Sequence, residues 1–231
     1  MEPVWPTANT YLSARGAART KAQAEFVFRH PEALPLVALS NEYIAATMQL
    51  LSGRNMARLK HGLYVGDLIV SFTRTHFIAQ DLLGFGELIE AAVLIRKQME
   101  LLARLHELAE NDSLDSLIRR TPNVRPLGKQ IRCLYSVYSE IAHSSNPIHL
   151  QQLGRVEIDG VEYTPIYPVY DSNSIVTFQH QVLTVVEFHN WAHPFLSAAY
   201  EDFDADAADE LIGDLARHFV DAYVPQSERG D

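Results

Sequence analysis

The chain has 231 residues, of which 47% are hydrophobic, and a formal net charge of −10 at pH 7. The apolar fraction excludes a disordered protein, and the negative charge disfavours general affinity for nucleic acids. The single cysteine, Cys133, excludes a disulfide framework and a cysteine-rich zinc site. No apolar run reaches the ~18 residues of a membrane span, so we expect a cytoplasmic protein with no membrane partner.

The charges are divided unevenly along the chain. Residues 1–132 hold 16 of the 19 basic residues and 13 of the 29 acids, whereas residues 133–231 hold 3 basic residues and 16 acids. The balance is therefore +3 (16 − 13) in the first part and −13 (3 − 16) in the second. Such parts attract each other within one fold or between protomers, and the alternative is two solvated faces.

Three helical segments are predicted for the N-terminal part of the chain. Apolar residues recur there at helical spacing, and proline and glycine interrupt the pattern. The predicted order is a loose arm over about 1–12, a helix from near Ala14 to Phe28, a helix that begins near Leu36 or Ser40, and a helix over about 63–82.

The clearest helix is predicted over 87–109. Its apolar residues recur at steps of three and four, which is typical of a helix face in the core. A short helix over 114–119 and a longer one over about 127–143 are predicted next, separated by two prolines. The core face of the first helix consists of Leu88, Ala92, Ile95, Met99, Leu102 and His106.

The apolar pattern then changes from helical to alternating. Apolar residues alternate on both sides of Asp159-Gly160, and Asp-Gly in this setting indicates the type I′ turn of a β-hairpin over 155–164. The remaining predicted elements are a helix from about Ser174 to Trp191, which Pro194 kinks or ends, and a last helix over about 205–223.

Together these segments predict an all-α fold, a bundle of about six to eight helices with a small β-hairpin insertion near 155–164. A lone hairpin is only marginally stable, so it is expected to pack as an insertion between helices. No internal repeat or low-complexity linker divides the sequence, and a single domain over 1–231 is therefore expected.

Charged residues flank the core faces of two of these helices. Arg96 and Glu100 lie one turn apart in the helix over 87–109, at the spacing of an intrahelical ion pair. In the helix over 127–143, His143 shares a polar face with Glu140 and two serines. A buried Arg, Glu and His between helices form either a hydrogen-bonded network or a functional site. Arg96, Glu100 and His143 are therefore candidate catalytic residues.

Two segments within about 85–150, LIRKQMELLARL and YSVYSEIAHSS, resemble a group of bacterial helical proteins in which an R-x3-E helix pairs with a Ser/Glu–His helix. Some of these are similar to the HEPN (higher eukaryote and prokaryote nucleotide-binding) superfamily, whose members often act in toxin–antitoxin and phage-defence systems. The resemblance implies a protein of bacterial defence or stress systems, either a metal-independent ribonuclease or an inactive relative. It also implies a homo-oligomer, because nuclease sites of the superfamily usually form across dimers.

The catalytic HEPN motif is an Arg and a His separated by four to six residues, the first of which, directly after the Arg, is polar. Arg54-Asn55-x5-His61 matches this motif. In the family's chemistry the His moves a proton at the 2′-hydroxyl or the leaving oxygen, and the Arg stabilises phosphate charge. Arg54 and His61 are thus further candidate catalytic residues. The alternative is a solvated helix end beside Gly53 and Gly62, since such pairs also arise by chance.

Two histidine patterns offer a metal-binding alternative. Glu140 and His143 form an ExxH, which places both on one helix face, as in di-iron bundles. His189 and His193 lie four residues apart in a later helix. No second ExxH completes a di-iron set, and a core histidine is more often hydrogen-bonded than metallated. We therefore expect no metal and no cofactor, and these four residues are kept for an alternative metal-dependent bundle enzyme.

One basic stretch carries no acid, which favours contact with phosphate or with the acidic residues 201–214 of the same or a neighbouring chain. The second option needs no unseen ligand and is preferred. The alternative function is therefore a non-enzymatic interaction protein that works through its charge asymmetry, with a homo-oligomer, a protein partner or RNA as binding partners. The basic residues of the stretch are Arg119, Arg120, Arg125, Lys129 and Arg132.

Overall fold

The computed structural model describes residues 7–111, 113–144 and 146–225. These residues form seven α-helices, two 3-10 helices and one two-stranded sheet, which confirms the predicted all-α bundle with a β-hairpin. No helix within these ranges is long and apolar enough to cross a membrane. In chain order, the elements are α1 Ala8–Arg29, α2 Ala33–Leu51, a 3-10 helix Met56–Arg58, α3 Gly62–Gly84, α4 Leu88–Glu110, α5 Lys129–Ala142, a 3-10 helix Pro147–Leu153, β1 Val156–Ile158, β2 Val161–Tyr163, α6 Asn173–Ala199 and α7 Ala205–Tyr223.

Helix α4 lies at the centre of the molecule. It packs against α3, α5 and α6, and its predicted core face is buried, with Ile95, Met99 and Leu102 fully so, except for His106, which is half-buried. The stacked rings of Phe72 on α3 and Phe188 on α6, with centroids 4.6 Å apart, fill the adjoining core. Because each such side chain contributes ~1.5–3 kcal/mol on burial, this core fixes the relative positions of the helices.

Strands β1 and β2 form the predicted hairpin. Ile158 pairs with Val161 across the turn, and Asp159 and Gly160 have φ angles of 53° and 78°. Two positive φ angles are the signature of a type I′ turn, whose twist matches that of the flanking strands. The Asp-Gly signal therefore located the hairpin correctly.

Helix α1 begins earlier than predicted. A loose arm was expected over about 1–12, but the helix starts at Ala8 because the Thr7 side chain accepts a hydrogen bond from the Thr10 amide and caps it. The rest of the predicted arm, residues 1–6, lies outside the described residues.

The predicted helix over 114–119 and the predicted end of the later helix near Trp191 are both wrong. Residues 114–119 form turns, and Arg119 has a left-handed φ of 72°, which an α-helix does not contain. Helix α6 continues past Pro194, because the buried Trp191 and Leu196 hold the helix on both sides of the proline. Packing there outweighs the loss of one backbone hydrogen bond.

Candidate functional site

Arg96 and Glu100 form the predicted ion pair on α4, with 2.8 Å between Nη2 and Oε1. Tyr135 on α5 joins them, because its hydroxyl donates to Glu100 Oε1 at 2.9 Å and the Arg96 guanidinium lies over its ring. The acid and the base neutralise each other, so the three side chains link α4 to α5. Sequence reasoning missed Tyr135, although it lies in the segment that resembles the HEPN-like proteins.

His143 is not hydrogen-bonded to this cluster. It is the exposed residue that ends α5, eight positions after Tyr135, which is about 12 Å along a helix axis. Among the described residues, the hydrogen bonds of Arg96 and Glu100 go to Tyr135 and not to His143. The structure therefore brings together two of the three residues of the first candidate site.

Arg54 and His61 are held by different partners. Arg54 makes a bidentate ion pair with Asp202, at 2.8 and 2.5 Å, and its guanidinium lies 4.5 Å from the centroid of the Tyr200 ring. His61 has a left-handed φ of 54°, and its Nε2 lies 3.2 Å from the Asn111 carbonyl oxygen. A shared ribonuclease site would require both side chains to leave these partners, and their catalytic role stays a prediction.

The described part of the chain does not contain the group of side chains that the metal-binding alternative requires. There, no group of three or more His, Cys, Asp or Glu residues is placed to hold a metal ion. The Glu140 carboxylate on α5 lies 3.2 Å from His149. On α6, His189 and His193 each lie 3.3 Å from Asp209 Oδ1. Of the four residues of the metal-binding alternative, Glu140 therefore contacts a different partner from that of His189 and His193.

A groove of about 490 Å³ runs between α2 and α7, and we call it the acidic groove. Its floor is apolar, with Tyr43, Leu50 and Leu211 among the lining side chains. Its rim carries five carboxylates, and the described lining residues include no basic side chain. These carboxylates belong to Glu42, Asp202, Asp204, Glu210 and Asp214.

A chain of polar contacts lies below the acidic groove. The Tyr43 hydroxyl is hydrogen-bonded to His189 Nδ1 at 3.1 Å, and His189 Nε2 lies 3.3 Å from Asp209 on α7. Burial raises the pKa of the Tyr43 hydroxyl, and burial lowers the pKa of His189 although Asp209 opposes the shift. These contacts fasten α7 to α2 and α6, so they set the width of the groove.

We call residues 119–132 the basic segment, and its five basic side chains are exposed although Leu127 and Ile131 are buried. Of its five basic side chains, Arg120 alone forms an ion pair within the described residues, with Glu107 on α4. The predicted ion pairs between this segment and residues 201–214 of the same chain are therefore not formed there. The basic side chains without an ionic partner in the described residues are Arg119, Arg125, Lys129 and Arg132.

The buried carboxylate of Glu107 fixes the basic segment to α4. It is 3% exposed, accepts a hydrogen bond from the Asn123 amide at 3.1 Å and lies 2.8 Å from Arg120. Arg104, one turn before Glu107 on α4, also lies 3.0 Å from this carboxylate. These contacts give the part of the segment that precedes α5 a defined shape, although it forms no helix or strand.

A second groove, of about 460 Å³, lies between the N-terminal end of α3, the C-terminal part of α4 and α6, and we call it the apolar groove. Ten of the 13 described lining residues are apolar. Trp191 and Phe195 stack along one wall, with centroids 4.8 Å apart and planes inclined by 20°. The polar side chains in the lining are Lys60, His106 and Asn190.

Glu187 lies beneath the apolar groove and is 7% exposed. It accepts a hydrogen bond from the Gly128 amide at 3.1 Å, and His106 Nε2 lies 3.6 Å away. Burial, the strongest single influence, raises the pKa of Glu187, but contacts with His106, Gly128 and Asn190 together lower the pKa by more. The ionised carboxylate therefore holds the His106 ring at the edge of the groove.

Comparisons with protein-family models, curated protein sequences and solved structures find no match to the chain. The resemblance to the HEPN superfamily therefore rests on the two sequence segments and stays a prediction. Sequence reasoning also missed both grooves, because the residues that line them come from distant segments. The available signal was a polar residue in an apolar face, such as His106 at the end of the α4 stripe.

Proposed function

We propose that the chain is a self-associating interaction protein, in which the acidic groove of one copy receives the basic segment of another. Complementary charge carries the proposal, and it remains although two of the five rim carboxylates have basic partners in the same chain, Asp202 with Arg54 and Asp214 with Arg217. The groove rim holds five carboxylates and no described base, and four of the five basic side chains of the segment lack an ionic partner among the described residues. Opposite charges across an interface speed association and fix its register.

Apolar groups complement these charges. Ile118 is 47% exposed and directly precedes Arg119 in the chain. The floor of the acidic groove offers apolar contacts around Tyr43 and Leu211. A desolvated apolar centre within a charged rim is the usual arrangement of a protein interface. Since Glu107 already fixes the segment, little conformational entropy is lost on docking.

The two surfaces are different, so the contact is heterologous. One copy then uses its groove while its neighbour uses its segment, which produces a closed ring or an open chain of copies. The protein is expected to be at least a dimer at low salt, and screening by salt weakens the assembly.

The test reverses the charge of the segment. Arg125→Glu/Lys129→Glu is expected to reduce the particle mass measured by light scattering at micromolar concentration to that of one chain. Both residues are exposed and make no ion pair with a described residue, so the variant is expected to fold. The matched control, Arg58→Glu/Lys97→Glu, makes the same change in net charge at exposed positions elsewhere and retains association.

Two results would overturn the proposal. One is a wild-type protein with the mass of one chain at low salt, and the other is an equal loss of association in the control variant. A monomeric wild type whose basic segment binds an RNA homopolymer would replace self-association by phosphate contact.

A further inference from the structure

The apolar groove lies apart from the two surfaces proposed to associate, and the described residues that line it include none of theirs. Its volume of about 460 Å³ lies within the ~300–1,000 Å³ that is usual for sites of small molecules. The stacked rings of Trp191 and Phe195 form a flat apolar wall. The interior of the groove therefore suits an extended hydrocarbon chain or a flat ring.

The charged groups at the polar end of the groove already have partners. The buried carboxylate of Glu187 accepts a hydrogen bond from the Gly128 amide, and its contacts with His106 and Asn190 help to lower its pKa. Lys60 also has an interaction of its own, and the described lining residues include no carboxylate. A charged head group would lose its hydration here without gaining a free partner of opposite charge, so an uncharged ligand is favoured.

The second ring nitrogen of His106 is in a different position. Nε2 is buried and lies 3.6 Å from Glu187, whereas Nδ1 forms no hydrogen bond with a described residue, and the side chain is 22% exposed. The carboxylate favours the ring proton on Nε2, so Nδ1 keeps its lone pair and can accept a hydrogen bond. The two nitrogens point in nearly opposite directions, so Nδ1 is directed away from Glu187. The groove that His106 lines therefore offers a free acceptor at its polar end.

We infer that the apolar groove binds a small, uncharged, apolar molecule that carries a hydroxyl group. The hydrocarbon part lies against Trp191, Phe195 and the alanines of α6. The hydroxyl donates a hydrogen bond to His106 Nδ1, which no described residue occupies. This inference does not rest on self-association.

Trp191 reports on occupancy directly. The chain has two tryptophans, so Trp5→Phe leaves Trp191 as the only indole. The probes are n-octanol and heptyl methyl ether, which have the same formula, although only the alcohol can donate a hydrogen bond. The alcohol is expected to change Trp191 emission along a saturable curve and to bind about fivefold more tightly than the ether. Equal affinity for both molecules, tighter binding of the ether, or no saturable change with n-octanol would overturn the inference.

The role of His106 as the acceptor is tested by its replacement. His106→Leu is expected to bind n-octanol no more tightly than heptyl methyl ether, because the acceptor is lost. Binding of the ether is retained in this variant, which shows that the groove is still formed. His218→Leu makes the same change at an exposed position on α7, outside the groove, and keeps the preference for the alcohol. A preference that survives His106→Leu would contradict the assignment of the polar end.

Variants of neighbouring residues on α6 separate the groove from general surface binding and do not depend on the folding of His106→Leu. Ala198→Phe places a ring in the groove and is expected to weaken the binding of n-octanol about tenfold. Ser197→Phe adds the same ring at the preceding, exposed position, which does not line the groove, and leaves binding unchanged. An equal loss of affinity in both variants, or full affinity in Ala198→Phe, would contradict the inference.

Discussion

The acidic and apolar grooves each have an imidazole and a carboxylate below them, yet the two pairs differ in burial. Under the apolar groove, the Glu187 side chain is 9% exposed and accepts the Gly128 amide. Under the acidic groove, the Asp209 side chain that contacts His189 is 57% exposed. A buried carboxylate must be matched by donors, whereas a solvated one is compensated by water. Burial, rather than residue type, therefore decides which pair supports the fold.

The largest expected effect comes from removing the buried carboxylate. Glu187→Ala is expected to lower the free energy of unfolding by about 3 kcal/mol, because it leaves the Gly128 amide without an acceptor and opens a cavity. Asp209→Ala is expected to cost about 1 kcal/mol or less, since its contact is largely solvated. Urea denaturation of the two variants measures the difference, and equal losses would contradict the comparison.

The pH dependence of stability should also differ between the two pairs. Burial lowers the pKa of His189 in the folded protein. Its contribution to the free energy of unfolding is therefore fully present above the ordinary pKa of 6.5, and it is lost as the pH falls below that value. The pKa of Glu187 is also lowered, although burial by itself raises it. The contribution of Glu187 to the free energy of unfolding is therefore present above about pH 4.5 and is lost as the pH falls further.

Glutamine variants locate these two windows. The difference in unfolding free energy between wild type and His189→Gln should change below pH 6.5, and that between wild type and Glu187→Gln should change most below about pH 4.5. His76, whose pKa burial lowers to about 4, is present in all three proteins and cancels in the differences. A difference between wild type and Glu187→Gln that stays constant as the pH falls below about 4.5 would contradict the assignment.

The sequence predicted the helices and the hairpin because those depend on local periodicity and turn chemistry. The stripe of α4 and the Asp-Gly turn are examples. Prediction from the sequence failed where contacts between residues far apart in the chain determine the backbone conformation. Arg119 leaves the helical conformation while its neighbour Arg120 pairs with Glu107, and α6 passes Pro194 because of packing on both sides.

The candidate site shows the same limit. The ion pair of Arg96 and Glu100 was predictable from i, i+4 spacing, and the structure contains it. The partner Tyr135 required knowledge of how α4 and α5 pack. His106 and Trp191 lie in different helices and meet only in the folded chain, so no spacing in the sequence marks their groove.

A smaller effect is expected at the rim of the acidic groove. Arg54 neutralises Asp202, so Arg54→Gln leaves this carboxylate free and should strengthen self-association a few-fold. The stability of the monomer should change by less than about 1 kcal/mol, because the pair is exposed to solvent. Sedimentation at several protein concentrations measures the association, and weaker association in Arg54→Gln would count against the role of the groove.

The HEPN resemblance predicts RNA cleavage that needs no metal and depends on His61. Cleavage that persists in EDTA and disappears in His61→Ala, with an unchanged melting temperature, would support the nuclease hypothesis. Because Arg54 and His61 are held by separate partners, we expect no cleavage above that of a mock preparation. Cleavage that survives His61→Ala but is lost in EDTA would favour a metal-dependent enzyme instead.

The most direct test of docking between groove and segment uses two defective proteins together. Glu42→Lys/Glu210→Lys disables the acidic groove, and Arg125→Glu/Lys129→Glu disables the basic segment, so each protein alone should have the mass of one chain. An equimolar mixture retains one intact groove and one intact segment, and light scattering should therefore show a dimer that contains one chain of each kind. A mixture that remains monomeric, or a groove variant that still associates by itself, would contradict the account.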